Sequence, residues 1–179
     1  MRMQCSQKGI DLIKSFEGFS LTAYHGKCDR AGLYTIGWGH ARGVKPGDVI
    51  TREKAEELFN ADLEPVEKTL NADLVTGRPH PLVNQNQFDA LCSFVFNEGA
   101  GHYLDSTLRR KIRQGDLIGA ACEFKRWIYS NHKIAPGLIT RRDAERRLFL
   151  QSGAADIAAV MLGVMLAGCA ALVAMIFMI

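Results

Sequence analysis

The last 23 residues, Ile157 to Ile179, carry no charged side chain and no polar one beyond Cys169. A helix rising about 1.5 Å per residue over such a run spans a hydrocarbon core of roughly 30 Å. The run therefore reads as one membrane-spanning helix. The alternative is a buried C-terminal core helix, but such helices usually keep one polar face, and this run has none. The 179 residues are thus expected to divide into a globular unit, 1–153, and a C-terminal transmembrane segment, 154–179. Ala159, Gly163, Ala167 and Ala171 recur every fourth residue, a ridge of small side chains that lets another membrane helix approach closely.

All 22 Lys and Arg precede the tail, against 18 of the 19 acidic residues, so the globular unit carries an excess of four positive charges. An excess of that sign attracts anionic polymers, bacterial cell wall and nucleic acid among them, and charge alone does not separate these partners. Cys5, Cys28, Cys92, Cys122 and Cys169 are irregularly spaced with no CxxC, which indicates neither a zinc site nor a disulfide framework. No ligand cluster calls for a metal or an organic cofactor. Met1 to Gly9 lacks the apolar centre of a secretory signal, so synthesis into the cytoplasm with reduced thiols is expected.

Apolar periodicity organises the globular unit. Ile10, Leu12, Ile13 and Phe16 follow helical spacing, which places Glu17 at the end of a first helix with Gly18 as its stop. Residues 19–48 are broken by six glycines, the texture of a small antiparallel sheet with tight turns. Thr51 is an expected N-cap for a helix with Ala55, Leu58, Phe59, Leu63, Val66 and Leu70 on one face and a bend at Pro65. Phe88, Leu91, Cys92, Val95 and Phe96 mark a core helix stopping at Gly99-Ala100-Gly101. A short basic helix over 108–114 follows, and Asp116 is expected to cap the next. Thr140 and Asp143 suggest a capping box opening the last helix of the unit. The fold class is α+β: a helix and small sheet form one lobe, a helical bundle the other, with a cleft between.

Glu17 stands between Phe16, Gly18 and Phe19. Shielding by apolar neighbours favours the protonated carboxyl that a general acid needs. Asp29 and Thr35 lie further along, and a carboxylate and a hydroxyl reaching one water can activate it on the opposite sugar face. His40 either orients a cleft residue or is a structural histidine bonded across the hairpin. Glu98 is a rival acid or a solvated turn residue. Phe96 reads by itself as core and Asn97 as a helix cap. Arg141, Arg142, Arg146 and Arg147 read as a solvated, ion-paired face, with wall or lipid-headgroup binding as the alternative.

Phe16-Glu17-Gly18-Phe19, Tyr24 and Thr35-Ile36-Gly37-Trp38-Gly39-His40 resemble the catalytic segment of the phage-type lysozymes (endolysins), glycoside hydrolase family 24. Ser93 to Asn97 with Gly99, Ser106-Thr107-Leu108, and Gly137-Leu138 leading to Arg141–Arg146 resemble further motifs of that family, in its order. The resemblance implies a lysozyme-like two-lobed domain with Glu17, Asp29 and Thr35 catalytic and with Phe96 and Asn97 lining the substrate cleft. Asp29 precedes Thr35 by the family's interval of six. However, the family usually places its acid two residues after the tyrosine matching Tyr24, which here is Gly26. Some relatives carry Cys at the acidic position, so Cys28 is a rival occupant.

The expected activity is hydrolysis of the β-1,4 bond between N-acetylmuramic acid and N-acetylglucosamine, with bacterial peptidoglycan as partner and no nucleic acid. A lytic transglycosylase, or an anchored glycan-binding protein without hydrolysis, are the rival readings. The arginines before the apolar run and the absence of charge after it point to a tail-anchored protein of the inner membrane whose catalytic domain begins on the cytoplasmic side.

Overall fold

The computed structural model describes residues 2–25 and 34–151. Gly26, Cys28, Asp29, the expected boundary at 153/154 and the apolar run with its small-residue ridge lie outside the described residues. Among the described residues no helix is long and apolar enough to cross a membrane.

Helix α1 (Gln7–Phe16) buries Ile13 completely and ends where the Glu17 N–H donates to the Ile13 carbonyl. The chain then forms β1 (Ser20–His25) and β2 (Tyr34–Gly37), an antiparallel pair with Ser20 opposite Gly37 and Tyr24 opposite Thr35. Isolated bridges join Thr22 to Val49 and Ile36 to His40. The expected sheet is present, in this small form.

Helix α2 (Arg52–Leu74) starts as its sequence indicates, with the Thr51 side chain accepting from the Lys54 N–H. It continues through Pro65 for 23 residues, and its face of Ala55, Phe59, Leu63, Val66, Leu70 and Leu74 is buried. Helix α3 (Gln85–Glu98) opens on a capping box between Asn84 and Gln87, and every residue from Gln87 to Val95 is buried. A helix apolar on most sides belongs at the centre, and α1, α2 and α7 (Pro136–Phe149) all pack on α3. Complete burial of Phe88, Leu91 and Phe94 contributes about 2 kcal/mol each.

Gly99, with φ of 88°, ends α3, but the chain re-enters a helix at once: α4 spans Ala100–Asp105. Helices α5 (Thr107–Arg113) and α6 (Leu117–Glu123) follow, the latter capped by Asp116 as expected. A 3-10 turn (Phe124–Arg126) and a short hairpin, β3 (Tyr129–Ser130) and β4 (Lys133–Ile134), lead into α7.

Two expectations need correction here. The last helix begins at Pro136, not near Thr140, because proline lacks only an N–H that the first helical turn leaves unpaired anyway. Arg141 and Arg142 are not a solvated face: both are buried, 4% and 1% exposed, against α3. Arg147 does keep the expected surface pairing, with Asp143.

Candidate active site

The fold brings the end of α1, the turn after β2, the C-terminal end of α3 and the buried face of α7 together. Glu17 leaves α1 in an extended backbone conformation. Its Oε1 accepts a hydrogen bond of 2.8 Å from Arg141 Nη1. Its Oε2 lies against Gly39, where an added Cβ would stand only 3.4 Å away. Gly39 has φ of 83°, so glycine serves two needs there, the left-handed turn and the close approach of the acid. Apolar shielding is thus only part of the setting of Glu17, whose side chain is 21% exposed and ion-paired.

Thr35 and Gly37 share one face of β2, by the two-residue alternation of a strand. The Thr35 residue is buried, and among the described residues nothing hydrogen-bonds its Oγ1. His40 is engaged through both ring nitrogens: Nδ1 lies 2.8 Å from Asp62 Oδ2 and Nε2 lies 3.0 Å from the Arg42 carbonyl. Asp62, on α2, was not singled out by its sequence context. Backbone bonds in both directions between Ile36 and His40 fix the same turn.

Phe96 is half-buried with its ring 5.5 Å from that of Phe59, which in turn meets Trp38 at 5.9 Å. Asn97 lies beside it, and its Oδ1 accepts from Arg142 Nη2. Glu98 is not a free turn carboxylate, since the same Arg142 nitrogen is 3.2 Å from its Oε1.

Behind these groups lies Glu145, completely buried on α7. Its Oε1 accepts from Ser93 Oγ at 2.7 Å and from Arg141 Nε at 3.2 Å, and its Oε2 from Arg142 Nη1 at 2.7 Å. Arg141 Nη2 completes its own bonding on the Ser93 carbonyl. Burial pushes the Glu145 carboxyl above its usual range, against the pull of Arg142, Arg141 and the Ser93 hydroxyl. Burial likewise lowers Arg142, against the attraction of Glu145 and Glu98. One signal for this network was present in the sequence: Arg141 and Arg142 stand four and three residues before Glu145, the spacings that share a helix face.

A carboxyl gripped by an arginine and, on the neighbouring hairpin, a hydroxyl without a partner among the described residues suit acid-assisted cleavage with an activated water. Among the described residues no group of His, Cys, Asp and Glu side chains is arranged to hold a metal ion.

Residues 14–145 match the family model described as phage lysozyme. An endolysin of Acyrthosiphon pisum secondary endosymbiont phage 1 is 44% identical over 151 residues, covering 82% of this chain and 98% of that protein. A SAR-endolysin of bacteriophage PS119 is 36% identical over 135 residues, covering 75% of this chain and 78% of that one. Among solved structures, an endolysin from Escherichia coli O157:H7 phage FAHEc1 superposes with a TM-score of 0.73 at 35% identity, over 86% of this chain and 97% of that one.

Proposed function

The chain belongs to the phage lysozyme family, and on that premise we propose that it hydrolyses the β-1,4 bond between N-acetylmuramic acid and N-acetylglucosamine of bacterial peptidoglycan, breaking the wall and lysing the host. Glu17 protonates the leaving glycosidic oxygen. Asp29 and Thr35 hold the attacking water on the opposite face of the sugar, as inversion requires. Phe96 and Asn97 contact the glycan, and His40 contributes by bracing the turn that follows Thr35.

The observation that carries this reading is the Thr35 hydroxyl, buried yet unpaired among the described residues. Leaving such a group unpaired costs about 1–3 kcal/mol, and a hydroxyl kept for a reacting water explains why the fold tolerates it. Product analysis on purified peptidoglycan tests the reading. New reducing ends in step with glycan cleavage support hydrolysis; 1,6-anhydromuramic ends would make the protein a transglycosylase. Within the same assay, Asp29→Ala should cut turnover strongly and Cys28→Ser should not; the reverse would assign the second position to Cys28.

Residues 154–179 form a single-pass anchor and residues 1–153 the catalytic domain, held first on the cytoplasmic face of the inner membrane, with the Ala159–Ala171 ridge open to another membrane helix. The uncharged run supports this, as do the arginines that precede it and the existence of relatives named SAR-endolysins. Alkaline carbonate should leave the full chain in the membrane, and protease outside intact cells should spare the domain. Extraction by carbonate would overturn the anchor, and digestion from outside before lysis the orientation.

A further inference from the structure

Tyr24 lies directly opposite Thr35 in the β1–β2 pair. Residues opposite one another on antiparallel strands project from the same face, with Cβ atoms about 5 Å apart. The next pair along confirms the register, since the rings of His25 and Tyr34 meet at 4.2 Å and strand alternation puts them on the other face. Tyr24 therefore shares a face with the buried Thr35 hydroxyl that has no partner among the described residues.

The shape of the strand brings the far end of the side chain back to the acid. From Ser20 to Tyr24 β1 advances four residues, while β2 runs only from Gly37 to Thr35. The residues in between bond instead to the segment before α2: the Ala23 N–H donates to the Asp48 carbonyl at 2.8 Å and the Ile50 N–H to the Leu21 carbonyl at 2.9 Å. A bulge of this kind bends its strand and re-aims the side chain beyond it. The Tyr24 hydroxyl comes to lie over Gly18, where an added Cβ would stand 3.5 Å from it. The phenol thus reaches from Thr35 to the residue that follows Glu17.

We propose that Tyr24 binds the glycan at the point of cleavage: its hydroxyl bonds a polar group of the sugar held between Glu17 and Thr35, and its ring forms a wall of that subsite. This rests on the reading of Glu17 and Thr35 as reacting groups.

The fold does not use the hydroxyl. Tyr24 is half-buried, and among the described residues its oxygen makes no hydrogen bond. Glu17 does not take it up either, since its Oε1 accepts from Arg141 and its Oε2 lies against Gly39. Phenylalanine would fill the same space, so it is the oxygen that calls for a function. A phenol is donor and acceptor at once, on an apolar ring. That combination suits a ligand with C–H groups across its face and polar groups around its rim. An N-acetylated pyranose, with its hydroxyls and acetamide, is such a ligand.

The test is Tyr24→Phe in the full chain, in detergent, on purified peptidoglycan. Binding to the wall is measured by sedimentation in the Glu17→Gln background, where cleavage should not interfere. Turnover at low substrate, kcat/KM, should fall about three- to tenfold, the effect of one neutral hydrogen bond, and the melting temperature should hold within about 2 °C. Glu17→Gln with Tyr24→Phe should bind the wall more weakly than Glu17→Gln alone by a similar factor. An unchanged kcat/KM would overturn the inference. So would lost turnover with wall binding intact, which would make Tyr24 act on the acid and not on the sugar. A marked fall in melting temperature would also overturn it, by assigning the hydroxyl to the fold. Glu17→Gln alone separates the two claims: hydrolysis surviving there removes the general-acid reading, while weaker wall binding on loss of the Tyr24 hydroxyl still places Tyr24 on the glycan.

Discussion

Arg141 Nη1 lies 2.8 Å from Glu17 Oε1, a contact between residues 124 positions apart in the chain. It fastens the end of α1 to the buried face of α7, so the carboxyl at the centre of the site is placed by the helical core and not by the hairpin alone. The hairpin meets it from the other side through Gly39. Core packing and site geometry are therefore the same set of contacts, and substitutions at the site divide by whether they disturb the core, the hairpin or only the chemistry.

Thr35→Val separates chemistry from stability. It removes a buried hydroxyl with no partner among the described residues, so the melting temperature should hold or rise, by the equivalent of up to about 1 kcal/mol. Hydrolysis should fall by about a hundredfold or more. Thermal denaturation beside a wall-digestion assay checks both, and a clear loss of stability would mean that the hydroxyl is bonded within the fold.

Gly39→Ala should impair both properties. A side chain at φ of 83° is strained by about 1–2 kcal/mol, and the new Cβ would stand 3.4 Å from Glu17 Oε2, in contact with it, so that a backbone adjustment at residue 39 carries to the acid. The expected result is a lower unfolding midpoint in urea and roughly a tenfold loss of turnover, since displacements of the reacting groups are costly in rate.

The α2–α5 junction sets the response to acid. Asp73 is held below its usual range: burial works against this, but bonds from Arg109, Arg113 and Tyr103 and the charge of Arg109 outweigh it. A carboxylate lowered in the folded state contributes stability above its unfolded value, near pH 4, and loses it as pH falls through the folded value. Asp73→Asn should lower stability at pH 7 by about 2–3 kcal/mol and flatten the loss between neutral pH and about pH 3. Urea unfolding at both pH values measures this, and a variant as acid-sensitive as the parent would assign the effect to other carboxylates.

Much of this arrangement was legible in the sequence because local signals agreed with tertiary demands. Thr51 and Asp116 cap the helices they precede, and the run from Phe88 to Phe96 is apolar on so many sides that only a central position suits it. The buried arginines were not legible. A cluster of Arg on a terminal helix normally faces water, and burial is made tolerable here by Glu145 on the same helix together with partners brought from the end of α1 and from α3, Glu17, Ser93, Asn97 and Glu98. The partners from α1 and α3 are distant in sequence, so no local pattern records them. Pro136 misled for a different reason. Proline marks a helix end only where an N–H is needed, and the first turn of α7 needs none.

The central claim, that Glu17 is the proton donor of a wall hydrolase, is tested most directly by the rate of reducing-end release from purified peptidoglycan by Glu17→Gln. The account predicts a variant that melts within a few degrees of the parent and releases less than about 1% as many ends, since an amide can occupy the site but cannot supply the proton. A folded variant keeping more than about a tenth of the parent's rate would contradict it.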